Sequence, residues 1–446
     1  MSQSLPIRAT YAESFRCIGP ACEDTCCQGW SVPIDQTAYE RYQNLPSSPL
    51  RTLIDANILV MPEGAKPAAF AKIRMNESNR CPLLSEDRLC RIHAELGEGL
   101  LSHACASYPR VTTSFGGMKE TALALSCPEA ARLVLLNPKL LKQQRLTAAE
   151  ELGSELNGVP PADSAPMLLP WFWSIRQVVL ALVGNRAYPL WQRLFLLGVF
   201  CRRLESIAKG ELDRSVPAFL GDFEATVASG ALQNVMEALP LDRAAQLDVV
   251  LRLAGMLLHR SNVRPQFVEC VQAFTAGIGN GPGATLESLA EHYAQAHDRY
   301  YAPFFERHPH ILENYLANAI LRCRFPFGPE EAQAGSLHSM VREYALLTAQ
   351  FTLMKGFLIG VAGFHREAFS AVHLVHTVQA VSKHFEHYPE FLNLAYELLV
   401  ESRMDGARGL AILHRNVEQK LRKPVSPEIH APAPQEGIWA TLEPRS

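Results

Sequence analysis

WFWSIRQVVLALV (residues 171–183), WQRLFLLGVFCRRLESIA (191–208), LDVVLRLAGMLLHR (247–260) and YALLTAQFTLMKGFLIGVAG (344–363) decide the fold. In each, apolar residues recur at intervals of three and four, the period that stacks side chains on one face of an α-helix. No alternating run of the strand type interrupts them after Trp171, and no repeat of fixed period appears. A helical body over 169–422 is predicted. Outward from it, TAAEELGSELNGVPPADSAP (147–166) is polar and proline-containing, which predicts a linker over 146–168. KPVSPEIHAPAPQEGIWATLEPRS (423–446) holds five prolines and little periodicity, which predicts an extended or disordered tail. Residues 1–145 combine cysteines, turn formers and short helical pieces, and are expected to fold around a metal. The expected class is mainly α, with a cysteine-rich N-terminal region packed on a multi-helix body.

At 446 residues the chain exceeds what one hydrophobic core usually organises, so two or three lobes are expected. Hydrophobic residues make up 48% and charged residues 20%, with a formal net charge of -3. That balance offers no polyanion-binding excess, so nucleic acid is not an expected partner. MSQSLPIRATYAESFRC lacks a basic region followed by an apolar core and a cleavage site, so a cytoplasmic location is expected. The longest apolar stretches fall short of the roughly 20 residues a membrane span needs and read as buried helices.

Cysteine is unevenly placed: Cys17, Cys22, Cys26, Cys27, Cys81, Cys90, Cys105 and Cys127 precede only Cys201, Cys270 and Cys323. In a reducing compartment such clustering points to metal ligation more than to disulfides. CIGPACEDTCC (17–27) is the densest element, and thiolates suit zinc and iron-sulfur clusters. Cys81 and Cys127 each precede a proline, which stiffens the loop behind a ligand. One tetrahedral zinc or one four-iron cluster takes four thiolates whereas eight are present, so two centres or four supporting cysteines are both open. His93 and His103 lie beside these cysteines and read as hydrogen-bonded structural residues. The C-x3-C-x2-C signature of radical S-adenosylmethionine enzymes starts at Cys22 and Cys26 but fails at its third position, Gly29.

CIGPACEDTCCQGW (17–30), CPLLSEDRLCRIHAELGEGLLSHACASYPR (81–110), SCPEAARL (126–133) and ILENYLANAILRCRFPF (311–327) resemble the bacterial flagellin lysine-N-methylases, over roughly residues 11–400. The cysteine part also resembles a broader set of zinc- or iron-chelating proteins. The family resemblance implies methyl transfer from S-adenosylmethionine to lysine ε-amino groups of flagellin, in an enzyme associated with an iron-sulfur cluster, of the 4Fe-4S type. No Rossmann methyltransferase domain is evident. The competing reading is a non-catalytic zinc- or iron-binding structural or redox-sensing protein.

Methylating lysine requires a neutral amine from a group whose pKa is ordinarily near 10.4, so a desolvating pocket or a base is needed. The sulfonium donor favours carboxylates and aromatic faces. In ENYLAN, Glu313 and Tyr315 are candidate catalytic groups, and Asn314 and Asn318, one turn apart, candidate cofactor contacts. The alternative is a helix whose polar groups satisfy neighbouring backbone. Among residues flanking the cysteines, Tyr108 is a catalytic candidate and Trp30 and Arg110 are cofactor candidates; Glu23 and Asp24 are placed to support the ligands. GIGNGPG (277–283) follows a helical pattern instead of a strand, so it reads as a turn between helices and not as a nucleotide loop. His373, His376, His384 and His387 lack the carboxylate of HExxH and read as helix residues.

Overall fold

The computed structural model describes residues 7–8, 10–115, 118–141, 145–146, 168, 171–260, 263–328 and 339–416. The expected tail, 423–446, and all but the ends of the expected linker lie outside these residues.

The first 146 residues hold short strands: β1 (Ile7–Arg8), β2 (Pro33–Ile34), β3 (Ile58–Val60), β4 (Ala71–Ile73), β5 (Arg110–Phe115), β6 (Met118–Leu123) and β7 (Arg145–Leu146). They form three antiparallel sheets: β1 with β7, β2-β4-β3, and the β5-β6 hairpin that aligns Arg110 with Leu123. Apart from β5 and β6, these strands of two or three residues carry too few positions for an alternating pattern to stand out. Between them lie α1 (Gln36–Gln43), α2 (Pro49–Asn57), α3 (Arg91–Leu96), α4 (His103–Ser107) and α5 (Pro128–Leu135). Asp35 caps α1 by accepting from Ala38 N, and its other oxygen accepts from His103 N at 2.7 Å, which joins α1 to α4.

The body is helical, as the period predicts: α6 (Phe172–Gly184), α7 (Leu190–Ala208), α8 (Val216–Ala228), α9 (Gln233–Glu237), α10 (Arg243–Leu258), α11 (Pro265–Gly277), α12 (Leu286–Ala296), α13 (Ala302–Arg307), α14 (His310–Arg322), α15 (Met340–His365), α16 (Ala371–Phe385), α17 (Pro389–Glu401) and α18 (Ala407–His414). A π-helical turn, His297–Tyr301, joins α12 to α13. The class is mainly α, with no Rossmann-type sheet among the described residues.

Two apolar cores result. A small one gathers Val32, Ile34, Tyr42, Ile54, Ile73 and Leu83, with Cys81 buried in it and Cys27, Trp30, Cys90 and Cys105 against it. The large core fills the helical body and also takes in Tyr11, Phe15 and residues of β6 and α5. Arg176 of α6, fully buried, pairs bidentately with Glu120 of β6 at 2.6 and 2.8 Å and donates to the Phe325 carbonyl, fixing the hairpin to the body.

Helix α15 is the axis of the body and longer than its apolar sequence stretch implied. By length and composition Met340–Ala368 is apolar enough to cross a bilayer, yet its apolar window is wholly buried in the protein. Lys355 sits in its middle, 7% exposed, donating to the His414 carbonyl at 2.7 Å. Burial, with the Arg243 charge added, pushes its pKa down to about 7. An unfolded chain, with the lysine at its ordinary value, binds a proton between about 7 and 10.5 that the folded chain does not, so this group makes stability rise with pH across that window. Lys355→Met is expected to raise Tm at pH 7, where the buried amine costs on the order of several kcal/mol, against about 1 kcal/mol for the lost hydrogen bond. The advantage should shrink as pH approaches 10.5; equal Tm shifts at both ends of the window would contradict this.

Candidate functional site at the seam between the cysteine region and the helical body

The cysteines come together through backbone pairing. Cys81 N donates to the Cys27 carbonyl at 2.8 Å, beside a bridge between Gln28 and Arg80, so the first cysteine loop lies along the segment carrying Cys81. A second bridge joins Leu84 to Cys90, which is the N-cap residue of α3. Cys105 lies in the first turn of α4, its N–H directed at Ser102 Oγ, and Cys127 is the N-cap residue of α5, with Pro128 next.

The thiols feel one another. Burial pushes Cys81 up to about 12, with Cys90, Cys105 and Cys26 adding to it, and pushes Cys105 up to about 11, with Cys90 and Cys26 adding. Burial raises Cys127 to about 12, helped by Cys22 and Cys26. Cys26 is raised first by its hydrogen bond with Cys27 and then by burial. Cys26 is the common member: it adds to the upward shift of Cys22, Cys81, Cys90, Cys105 and Cys127. Cys17 and Cys26 are exposed, as are His93 and His103.

Among the described residues, no three His, Cys, Asp or Glu side chains stand in a geometry that holds a metal ion. The donor chemistry nonetheless fits a thiophilic centre. Several thiols from sequence-distant segments share one partly buried region, where burial and mutual repulsion of the thiolates favour the protonated form, and a cation would have to displace those protons to be held there.

The helical body closes over this loop. Asp24, 6% exposed, accepts from Arg264 Nη2 at 2.5 Å, Gln379 Nε2 at 2.6 Å and Lys383 Nζ at 2.9 Å. Glu23 pairs with Arg132 of α5. Trp30 donates from Nε1 to the Cys26 carbonyl at 2.6 Å, and its ring stacks on His387 at 5.5 Å and on Tyr108 at 6.2 Å. Ser126 Oγ lies 3.1 Å from the Tyr108 hydroxyl and 3.2 Å from His387 Nε2. Burial raises the phenol of Tyr108 and lowers His387, which favours the uncharged form of both. Glu386 accepts from the backbone N–H groups of Leu125 and Ser126.

Arg110 is spent on the chain, donating to the Ala12 and Phe15 carbonyls and lying over the Phe15 ring. The ENYLAN residues of α14 are likewise used by the fold. Glu313, 2% exposed, is held by Arg186 and Arg193, each at 2.7 Å. Asn314 donates to the Val134 and Asn137 carbonyls, and Asn318 bridges Tyr11 to both polar groups of the Leu123 backbone. Tyr315 is buried, its ring 6.1 Å from Phe351. The structure thus brings Trp30 and Tyr108 to the cysteines and gives Glu313, Asn314 and Asn318 partners within the scaffold. His387, Ser126, Gln379 and Lys383 join the seam without having been singled out for it. The available signal was the four-residue spacing of Gln379 and Lys383, which puts polar groups on one face of an otherwise buried α16; His387, expected to be a helix residue, lies in the turn just past the helix end.

Residues 176–413 match the model of the FliB lysine N-methylase C-terminal domain. The chain belongs to the FliB lysine N-methylase family. It is 26% identical over 353 residues to a lysine-N-methylase of Salmonella typhimurium, covering 76% of this chain and 84% of that protein. A lysine-N-methylase of Salmonella choleraesuis is 25% identical over 350 residues, with the same shares covered. The flagellar biosynthetic protein FliU of Salmonella muenchen is 34% identical over 128 residues, 29% of this chain and 75% of that protein. No solved structure matches the chain. The matched domain contributes Arg264, Gln379, Lys383 and His387, so the family's C-terminal domain supplies the body side of the seam.

Proposed function

We propose that this protein is a lysine N-methyltransferase that moves methyl groups from S-adenosylmethionine to lysine side chains of flagellin, with a cysteine-ligated iron-sulfur cluster at the seam. Family membership carries the reaction type; the name of the flagellar relative supports the substrate. The meeting of Trp30, Tyr108, Ser126 and His387 beside Cys26 and Cys127 supports this location for the chemistry.

Cys17, Cys22, Cys26, Cys27, Cys81, Cys90, Cys105 and Cys127 are the thiols from which the cluster would draw its ligands. When bound, such a cluster supplies an electron-transfer centre. The rest falls to the chain's own groups. The aromatic faces of Trp30 and Tyr108 attract an onium group. The partly buried seam disfavours a charged lysine ammonium and so promotes the neutral amine that attacks. Tyr108 and Ser126 offer hydroxyls to orient that amine, and orientation supplies much of the rate in such a displacement.

Incubating flagellin with anaerobically purified, metal-replete protein and S-adenosylmethionine is expected to add methyl-sized mass increments to lysines. An unchanged flagellin mass under those conditions would remove the proposal. A colourless, zinc-loaded protein would remove the cluster and leave the alternative of a structural zinc centre.

A further inference from the structure

We propose that α16 is the ruler that sets the two cysteine-bearing segments against each other, with Gln379 and Asp24 as positioning residues; this rests on the proposed cysteine centre. The amide of Gln379 donates to Asp24 Oδ2 at 2.6 Å and to the Ser126 carbonyl at 3.0 Å. One side chain therefore spans from the loop between Cys22 and Cys26 to the residue before Cys127. Neighbouring groups of the same helix continue the brace on both sides. Lys383 Nζ donates to Asp24 at 2.9 Å and to the Thr25 carbonyl at 3.0 Å, and Glu386, just past the last turn, takes the N–H groups of Leu125 and Ser126.

Arg264, immediately before α11, closes the far side. It donates to Asp24 at 2.5 Å and to the Gln28 carbonyl at 2.7 Å, and packs so closely under Gly29 that a Cβ there would come within 2.5 Å of Nη1. Two cations thus face one carboxylate in a site Asp24 barely exposes. Removing charges from water is expensive and a buried pair is weak evidence of stability for its own sake. What this arrangement does provide is direction. The planar guanidinium and the amide each accept one placement of the loop, so the cysteines are held by the body and not only by their own region. Groups that orient ligands without touching the metal typically alter its affinity by about 10- to 100-fold.

The test titrates full-length, reduced protein anaerobically with cobalt(II), reading the thiolate-to-metal charge-transfer absorption. Gln379→Ala and Asp24→Asn are expected to weaken cobalt binding by about 10- to 100-fold, with helical circular dichroism retained. Thr377→Val serves as the control, since Thr377 is buried on the same helix but bonds to the His373 carbonyl and the Cys270 thiol, away from Asp24 and Ser126; its affinity should equal that of the unmodified chain. Gln379→Ala keeps the test decisive should the buried-charge variant fail to fold. If the unmodified protein gives no thiolate-cobalt band, the cysteine centre itself falls. If it gives one and Gln379→Ala binds equally well, the centre stands and the role of α16 is overturned.

Discussion

Gly277→Ala is expected to lower the unfolding free energy by about 3 kcal/mol or more, or to prevent folding, whereas Gly281→Ala, four residues along the same glycine-rich stretch, should be close to neutral. Gly277 ends α11 where that helix meets α15 backbone to backbone. A methyl group there would fall on the carbonyl oxygen of Gly360 and lie 2.7 Å from Phe364 N. The crossing is reciprocal: a Cβ at Gly363 would come within 2.6 Å of the Gly277 carbonyl and 2.7 Å of Ala296 Cβ. Neither partner is the flexible end of a side chain, so relief requires the two helices to separate along a contact that anchors the core. At Gly281 an added Cβ meets nothing within 4 Å. Thermal or denaturant unfolding of the two variants checks this; a Gly277→Ala protein with unchanged stability would show that α11 and α15 are not in this register.

The same stretch marks how far the sequence could be read. Its glycines were recognisable as belonging to a junction between helices, because no strand precedes them. That Gly277 serves close helix packing depends on Gly360 and Gly363, more than 80 positions away, and no local pattern records such a partner. Helical periodicity made the body readable because each run satisfies its own backbone hydrogen bonds. The β1-β7 and β2-β4-β3 sheets escaped notice because their pairings are non-local and their strands two or three residues long; the β5-β6 hairpin, local and with six-residue strands, was missed all the same. At the site, the crowding of thiols in the sequence marked segments that the fold brings together, and Trp30 and Tyr108 could be picked out as their neighbours.

ENYLAN drew attention as a run of polar groups in an apolar helix. The fold uses those groups to hold Tyr11, β6 and the end of α5 against α14, and Arg186 and Arg193 take up the Glu313 carboxylate. A buried carboxylate with two guanidiniums and a catalytic carboxylate look alike in sequence, since the partners that distinguish them lie over 100 residues away. His387 presented the opposite case. It sits in the short turn between α16 and α17, and its meaning comes from Trp30, Tyr108 and Ser126, which the chain brings to it from the other end.

The central claim is that thiols gathered at this seam serve methyl transfer to lysine. Cys81 and Cys90 carry the second cysteine segment, both are pushed up by burial with Cys26 adding to it, and Cys81 lies in the small core with Cys90 packed against it. Replacing either with serine exchanges a soft donor for a hard, weakly acidic one of similar size, which should leave the core packed while removing a ligand. Cys201 is a thiol of another kind, fully buried in α7 as a small apolar group. The decisive measurement is the mass of flagellin after incubation with S-adenosylmethionine and each of three metal-reconstituted proteins: Cys81→Ser, Cys90→Ser and Cys201→Ala. The first two are expected to lose bound metal and methyl transfer together, by at least about 100-fold, and the third to keep both. Undiminished methylation by Cys81→Ser and Cys90→Ser proteins that have lost their metal would contradict the central claim.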